Sequence, residues 1–159
     1  MSIEIERKFL LKNDSWRSLV IKSKKIIQGY LANTGRSSIR VRLSDDNASL
    51  NIKSMTLGVT RSEHDYPIPA EDAKSFLNEL CIGSLIEKIR HYIEYQGHTW
   101  EIDEFLGENT GLIVAEIELD DQHEEFAIPE WLGNEVSDDP RYYNICLVDH
   151  PYSAWNNGD

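Results

Sequence analysis

Cysteine is scarce in this 159-residue chain, and long apolar runs are missing altogether. Two cysteines, Cys81 and Cys146, cannot build the multi-bridge framework of a small secreted domain, and neither stands in a zinc-binding spacing. They read as free thiols in a reducing cytoplasm. No apolar stretch approaches the ~20 residues of a membrane span, and the opening Met-Ser-Ile-Glu-Ile-Glu-Arg lacks the apolar region of a signal peptide. Positive charge is also short. Sixteen Lys and Arg against 28 Asp and Glu leave a net charge of −12, the wrong balance for a general nucleic-acid binder. Walker A and Gly-x-Gly-x-x-Gly loops are absent, which excludes P-loop and Rossmann phosphate cradles. The five histidines show no zinc spacing and read as surface or wall residues. The four tryptophans and Tyr92 read as core or rim rather than as a base-stacking platform.

What is present is strand signal. Apolar and polar residues alternate, rich in β-branched types, at about 2–11, 25–32, 37–44, 48–55, 59–68, 84–96, 98–106 and 112–120. Turn chemistry separates these runs, as in Asn33-Thr34-Gly35, Asp45-Asp46-Asn47 and Gly107-Glu108-Asn109. Helices are few. Residues 70–80 place Ala73, Phe76, Leu77 and Leu80 at helical spacing, and Asp14 is placed to cap a short helix carrying Trp16, Leu19 and Val20. Asp139-Pro140 reads as an N-cap with proline at the first helical position, opening a helix through about Val148. Length and composition suit one domain over residues 1–159. Eight similar strands joined by short turns point to one antiparallel barrel or a strongly curled sheet.

Residues two apart in a strand share a face. On that rule Glu4, Glu6 and Lys8 oppose Ile3, Ile5 and Phe9, and Arg40 and Arg42 oppose Ile39, Val41 and Leu43. Lys53, the pair Glu63 and Asp65, the pair Lys88 and Arg90, the pair Glu101 and Asp103, and the pair Glu116 and Glu118 fall on polar phases in the same way. The plain reading is a sheet with one face in water. The tight pairs, segregated by sign strand by strand, argue instead for a charged face turned into a barrel. Such an interior needs a ligand, because isolated buried charges cost several kcal/mol each. Clustered carboxylates favour hard divalent cations such as Mg²⁺ or Mn²⁺, and clustered Arg and Lys favour phosphate. A metal-bound polyphosphate satisfies both.

The run Glu4-Ile5-Glu6-Arg7-Lys8 resembles the Glu-x-Glu-x-Lys signature of the CYTH superfamily, also called triphosphate tunnel metalloenzymes. Gln28-Gly29-Tyr30-Leu31, Arg40-Val41-Arg42, Asn51-Ile52-Lys53 and Glu87-Lys88-Ile89-Arg90 follow in the family's order. So do Trp100 to Phe105, Ala115 to Glu118 and Trp131 to Val136, so the resemblance spans residues 4 to about 147. It implies a mainly β (α+β) fold: a closed eight-stranded antiparallel β-barrel tunnel with a few peripheral helices. It implies metal binding by Glu4, Glu6, Asp103, Glu116 and Glu118, with Glu63 serving a second ion. Lys8, Arg40, Arg42, Lys53, Lys88 and Arg90 resemble the triphosphate ligands. The cofactor implied is Mg²⁺ or Mn²⁺, with two ions. Tyr30, inward in phase with Gln28, is the first choice for the general base, with Lys88 as its rival. A packed wall residue is the plain alternative for Tyr30. Arg141-Tyr142-Tyr143-Asn144 resembles the family's helix near the tunnel mouth, with Tyr143 where a basic residue is frequent. Asp65 stands where a glutamate is frequent and reaches one methylene less.

The activity implied is hydrolysis of inorganic triphosphate to phosphate and pyrophosphate, since no added nucleoside-binding segment is evident. The alternatives are a class IV adenylate cyclase, whose His-Phe pair is not found here, a thiamine triphosphatase, and a non-enzymatic polyphosphate-binding module. The expected partner is a small-molecule triphosphate, with neither nucleic acid nor membrane; a homodimer is compatible with the pattern.

Overall fold

A computed structural model describes residues 2–45, 47–55 and 59–155 of the chain. All eight expected strands form: β1 (Ser2–Leu11), β2 (Lys22–Asn33), β3 (Ser37–Ser44), β4 (Asn47–Ser54), β5 (Thr60–Ile68), β6 (Ile82–Tyr95), β7 (His98–Phe105) and β8 (Ile113–Glu118). They pair antiparallel in the order β5-β4-β3-β2-β6-β7-β8-β1, and β1 meets β5 to close the ring. Closure matters because it removes the exposed edges that an open sheet would have to protect. The β6–β7 hairpin shows how local chemistry sets register. Gln96 and Gly97, at φ 49° and 83°, bring Tyr95 opposite His98 in the primed-turn geometry that matches strand twist.

The barrel is inverted. Its hydrophobic core lies outside the wall, where the apolar phase of each strand is covered by other segments. Trp16, Trp100 and Trp131 are fully buried together with Phe9, Ile93, Ile102 and Ile117 against the outer wall of β1, β7 and β8. These aromatics meet edge to face, Trp100 lying 5.5 Å from Trp131 and 5.8 Å from Phe9. A second cluster joins Tyr30, Ile86, Phe105 and Val114 to Tyr142, Leu147 and Val148 of the C-terminal segment. Helix α1 (Ala70–Glu79) covers β3 and β4, burying Ala73 and Val41. Where no element covers the wall, apolar side chains stay exposed, as at Ile3 and Tyr66. No helix among the described residues is long and apolar enough to cross a membrane, and both cysteines are free.

Three local expectations change. The segment after Asp14 is a single 3-10 turn, Ser15–Leu19, and Asp14 makes no capping hydrogen bond. Asn13 takes that role, its Oδ1 accepting from the Ser15 amide at 2.9 Å. The C-terminal helix is broken in two. Asp139 does cap its start, accepting from the Arg141 amide, but only a 3-10 turn, Pro140–Tyr142, follows. Tyr143 is extended, and α2 begins afresh at Asn144–Asp149. Finally, Leu132–Glu135 forms a ninth strand, β9, on β1. It takes over the edge of β1 at Phe9–Leu11, beyond the reach of β5, which pairs with Ser2–Ile5. Of the expected turn Asp45-Asp46-Asn47, Asp46 lies outside the described residues, while Asp45 has the left-handed φ of 54°.

Candidate active site

Apart from Asp103, the polar phases line a cavity of about 370 Å³. Strands β1, β5, β7 and β8 contribute the carboxylates Glu4, Glu6, Glu63, Glu101, Glu116 and Glu118. Lys8, Arg40, Arg42, Lys53, Lys88 and Arg90 line the same space from β1, β3, β4 and β6. Tyr30 lies in the wall, buried, beside the arginines of β3. Arg7, out of phase, points outward into a fork with Glu135 at 2.6 and 2.9 Å.

The acids are held in unfavourable company. Glu6 stands directly opposite Glu118 across β1 and β8, and Glu101 directly opposite Glu116 across β7 and β8. Like charges in cross-strand register repel. Burial pushes the carboxyls of Glu4, Glu101 and Glu118 above their usual range, and neighbouring acids add to the rise. Some relief comes from bases, with Lys53 Nζ 2.8 Å from Glu4 and Lys8 Nζ 3.6 Å from Glu116. Among the described residues, no three carboxylates converge into a ready-made coordination sphere. The donor set still suits a hard cation. Mg²⁺ is ordinarily held by one or two carboxylates together with waters and substrate phosphates, so a preformed protein cage is not required.

Two of the bases have a donor without an acceptor. Among the described residues, Arg40 Nε and Arg61 Nε are buried with no hydrogen-bond partner. A buried donor left unsatisfied costs about 1–3 kcal/mol, which an incoming anion would recover. Burial, with Arg40 and Arg90 nearby, lowers the Arg42 guanidinium to about 9. Lys88 is lowered further, to about 7, by burial first and by Arg90 and Arg42 after it, against the pull of Asp103.

Asp103 sits elsewhere than its neighbours. It is completely buried behind the bore, and both of its oxygens are taken. Arg90 grips it as a fork, Nε to Oδ1 at 2.7 Å and Nη2 to Oδ2 at 2.9 Å, and Lys88 Nζ lies 2.8 Å from Oδ2. Burial alone would raise its carboxyl, but the two cations outweigh burial and hold it well below the usual carboxylate range. Asp65 is exposed and accepts from Asn51 at 3.3 Å.

Among the lining residues that escaped the sequence reading are two charged ones, Arg61 and Glu101 as a site residue, and the amide of Asn144. Arg61 carries a signal that was there to be used, since it shares the phase of Glu63 and Asp65. The family resemblance places Asn144 near the tunnel mouth, but its direction depends on the break at Tyr143. That tyrosine supplies no cation. Its ring lies 4.5 Å from the Arg61 guanidinium and 5.5 Å from Lys8 Nζ, and its hydroxyl donates to the Ser137 carbonyl at 2.8 Å.

Comparison with known proteins agrees with this geometry. A CYTH domain matches residues 2–143. The chain belongs to the CYTH domain family. Among its relatives, an inorganic triphosphatase of Acetivibrio thermocellus is 45% identical over 152 residues, covering 96% of this chain and 97% of that one. An inorganic triphosphatase of Nitrosomonas europaea is 32% identical over 150 residues, with 91% and 96% covered. The crystal structure of an inorganic triphosphatase superposes with a TM-score of 0.66 at 28% identity, covering 93% of this chain and 95% of the other.

Proposed function

We propose that this CYTH protein hydrolyses inorganic triphosphate to phosphate and pyrophosphate inside the barrel. The observation that carries the proposal is the double deficit of the bore. Among the described residues the Nε donors of Arg40 and Arg61 are buried without an acceptor, while Glu6 faces Glu118 and Glu101 faces Glu116 as like charges in cross-strand register. A polyphosphate bearing divalent cations supplies both. The relatives' activity supports the same reading.

The roles follow from position. Lys8, Arg40, Arg42, Lys53 and Arg90, with Arg61 added, bind phosphate oxygens; Arg is suited to this by its fork of donors. Glu4, Glu6, Glu116 and Glu118, with Glu63 toward a second ion, would hold Mg²⁺ or Mn²⁺. Bound there, the cations would neutralise phosphate charge and lower the pKa of a water. Asp103 is reassigned from metal ligand to the group that holds Arg90 and Lys88 in place, because both of its oxygens already accept from those cations and it does not line the cavity. Lys88 is the better general base of the two candidates. A neutral amine has two N–H donors and one lone pair. Asn144 Oδ1 and Asp103 Oδ2, each 2.8 Å away, accept both donors and leave the lone pair for a proton. Lys88 thus takes a proton from the attacking water as its oxygen bonds to the terminal phosphorus. The bridging oxygen leaves with pyrophosphate, and the arginines stabilise the charge on the phosphoryl oxygens. Tyr30 becomes a wall residue.

The test supplies tripolyphosphate, ATP and thiamine triphosphate separately with Mg²⁺ or Mn²⁺ and identifies products by chromatography. The expected result is the highest kcat/KM for tripolyphosphate, with phosphate and pyrophosphate as products. Cyclic AMP from ATP would overturn the hydrolase reading, and tight binding of all three without product would leave a polyphosphate-binding module.

A further inference from the structure

Helix α2 is docked on the strand that carries Lys88. Leu147 and Val148 pack into the second core cluster with Ile86 and Phe105. Gly83 on β6, at φ 64°, leaves the room that Val148 occupies. The extended Tyr143 redirects the chain just before α2, so Asn144 faces the cavity. Its Oδ1 accepts two hydrogen bonds, from Lys88 Nζ at 2.8 Å and from Gln28 Nε2 at 3.1 Å. Gln28, fully buried on β2, passes the connection on, its Oε1 accepting from Arg42 Nε at 3.0 Å. Two neutral amides therefore bridge cations of β6 and β3 across β2. Neither amide carries charge, so the bridge fixes where Lys88 and Arg42 sit without cancelling the Arg42 charge that phosphate needs or raising the proton affinity of Lys88.

We propose that Asn144 is a positioning residue for the triphosphatase reaction: through this two-amide bridge the C-terminal helix sets the place of Lys88 directly and of Arg42 through Gln28. This rests on the reading of the bore as a triphosphatase site. Misplacement of a reacting group by about 1 Å can cost as much as ~100-fold in rate. Asn144→Ala is expected to lower kcat on tripolyphosphate by about 10–100-fold while KM changes much less, because the phosphate-binding arginines remain. Asn144→Asp keeps the acceptor oxygen but adds a negative charge beside the phosphates. The added charge also raises the proton affinity of Lys88, so this variant is expected to retain kcat on its high-pH plateau, reached at a higher pH than in the parent, and to raise KM. Gln28→Ala should also lower kcat, and the double variant should lose no more than the worse single variant, since both act on one bridge.

A readout without turnover separates this proposal from the one beneath it. In the substrate-free parent the NMR signal of the Lys88 side chain should report an ordered amine, and in Asn144→Ala a mobile one. Unchanged order at Lys88, or equal losses of plateau kcat in Asn144→Ala and Asn144→Asp, would overturn the positioning role. A parent that orders Lys88 as expected yet turns over no tripolyphosphate would overturn only the assigned reaction.

Discussion

Replacing Asp103 by asparagine separates the two roles this residue can have. As the shared partner of Arg90 and Lys88 it neutralises two cations that are 8% and 1% exposed. Asparagine preserves the shape but removes the charge, and its amide nitrogen can only donate, so one arm of the Arg90 fork meets a donor. Lys88 can escape by losing its proton. Arg90 cannot, and keeps only Glu101 at 3.1 Å and the more distant Glu116 at 3.9 Å. Breaking a buried pair in this way costs about 3–5 kcal/mol. For a chain of this size each kcal/mol moves Tm by roughly 2–4 °C, so Tm should fall by about 6–20 °C. The assay is thermal unfolding followed by circular dichroism in chelator, so that no metal contributes. If Asp103 were instead a metal ligand, the metal-free protein would melt unchanged or later, because removing a crowded acid relieves repulsion. Glu118→Gln is the control for that behaviour, since Glu118 faces Glu6. A Tm within about 2 °C of the parent for Asp103→Asn would refute the reasoning.

Activity should vanish in chelator and return with Mg²⁺ or Mn²⁺, and Glu6→Gln should lose most phosphate release while its melting curve stays intact; full turnover by that variant would sink the metal assignment. Arg42→Ala should weaken tripolyphosphate binding by about one to two decades, the worth of a charge-assisted contact of roughly 1.5–3 kcal/mol, measured by calorimetry. Arg7→Ala removes only a half-exposed outer pair with Glu135 and should leave that affinity unchanged, so equal losses at positions 7 and 42 would mean the two faces are misassigned. A general base works unprotonated, and Lys88 is charged below about 7; kcat/KM should therefore rise as pH climbs through that value and level off above it. A pH profile flat from 5 to 9 would remove Lys88 from the role.

The period-2 alternation is local, and by itself it determined the eight strands and the grouping of Glu4, Glu6 and Lys8, of Arg40 and Arg42, and of Lys88 and Arg90 onto single faces. The sign-segregated pairs also announced a ligand carrying both charges, and the order of motifs announced the family. Which face turns inward was decided only when β1 met β5 and the ring closed, because inside and outside do not exist for a strand alone. The same closure separated residues that alternation treats as equals. Glu101 and Asp103 share a phase on β7, yet the register with β6 sets Asp103 opposite Arg90 and Glu101 opposite Tyr92, so one is locked behind the bore and the other lines it. The C-terminus repeats the lesson. Asp139-Pro140 marks a helix start correctly, but packing of Leu147 and Val148 against β6 breaks that helix at Tyr143 and swings Asn144 onto Lys88. Local sequence sets which side chains travel together, and the long-range contacts that bury the apolar phase decide what each of them meets.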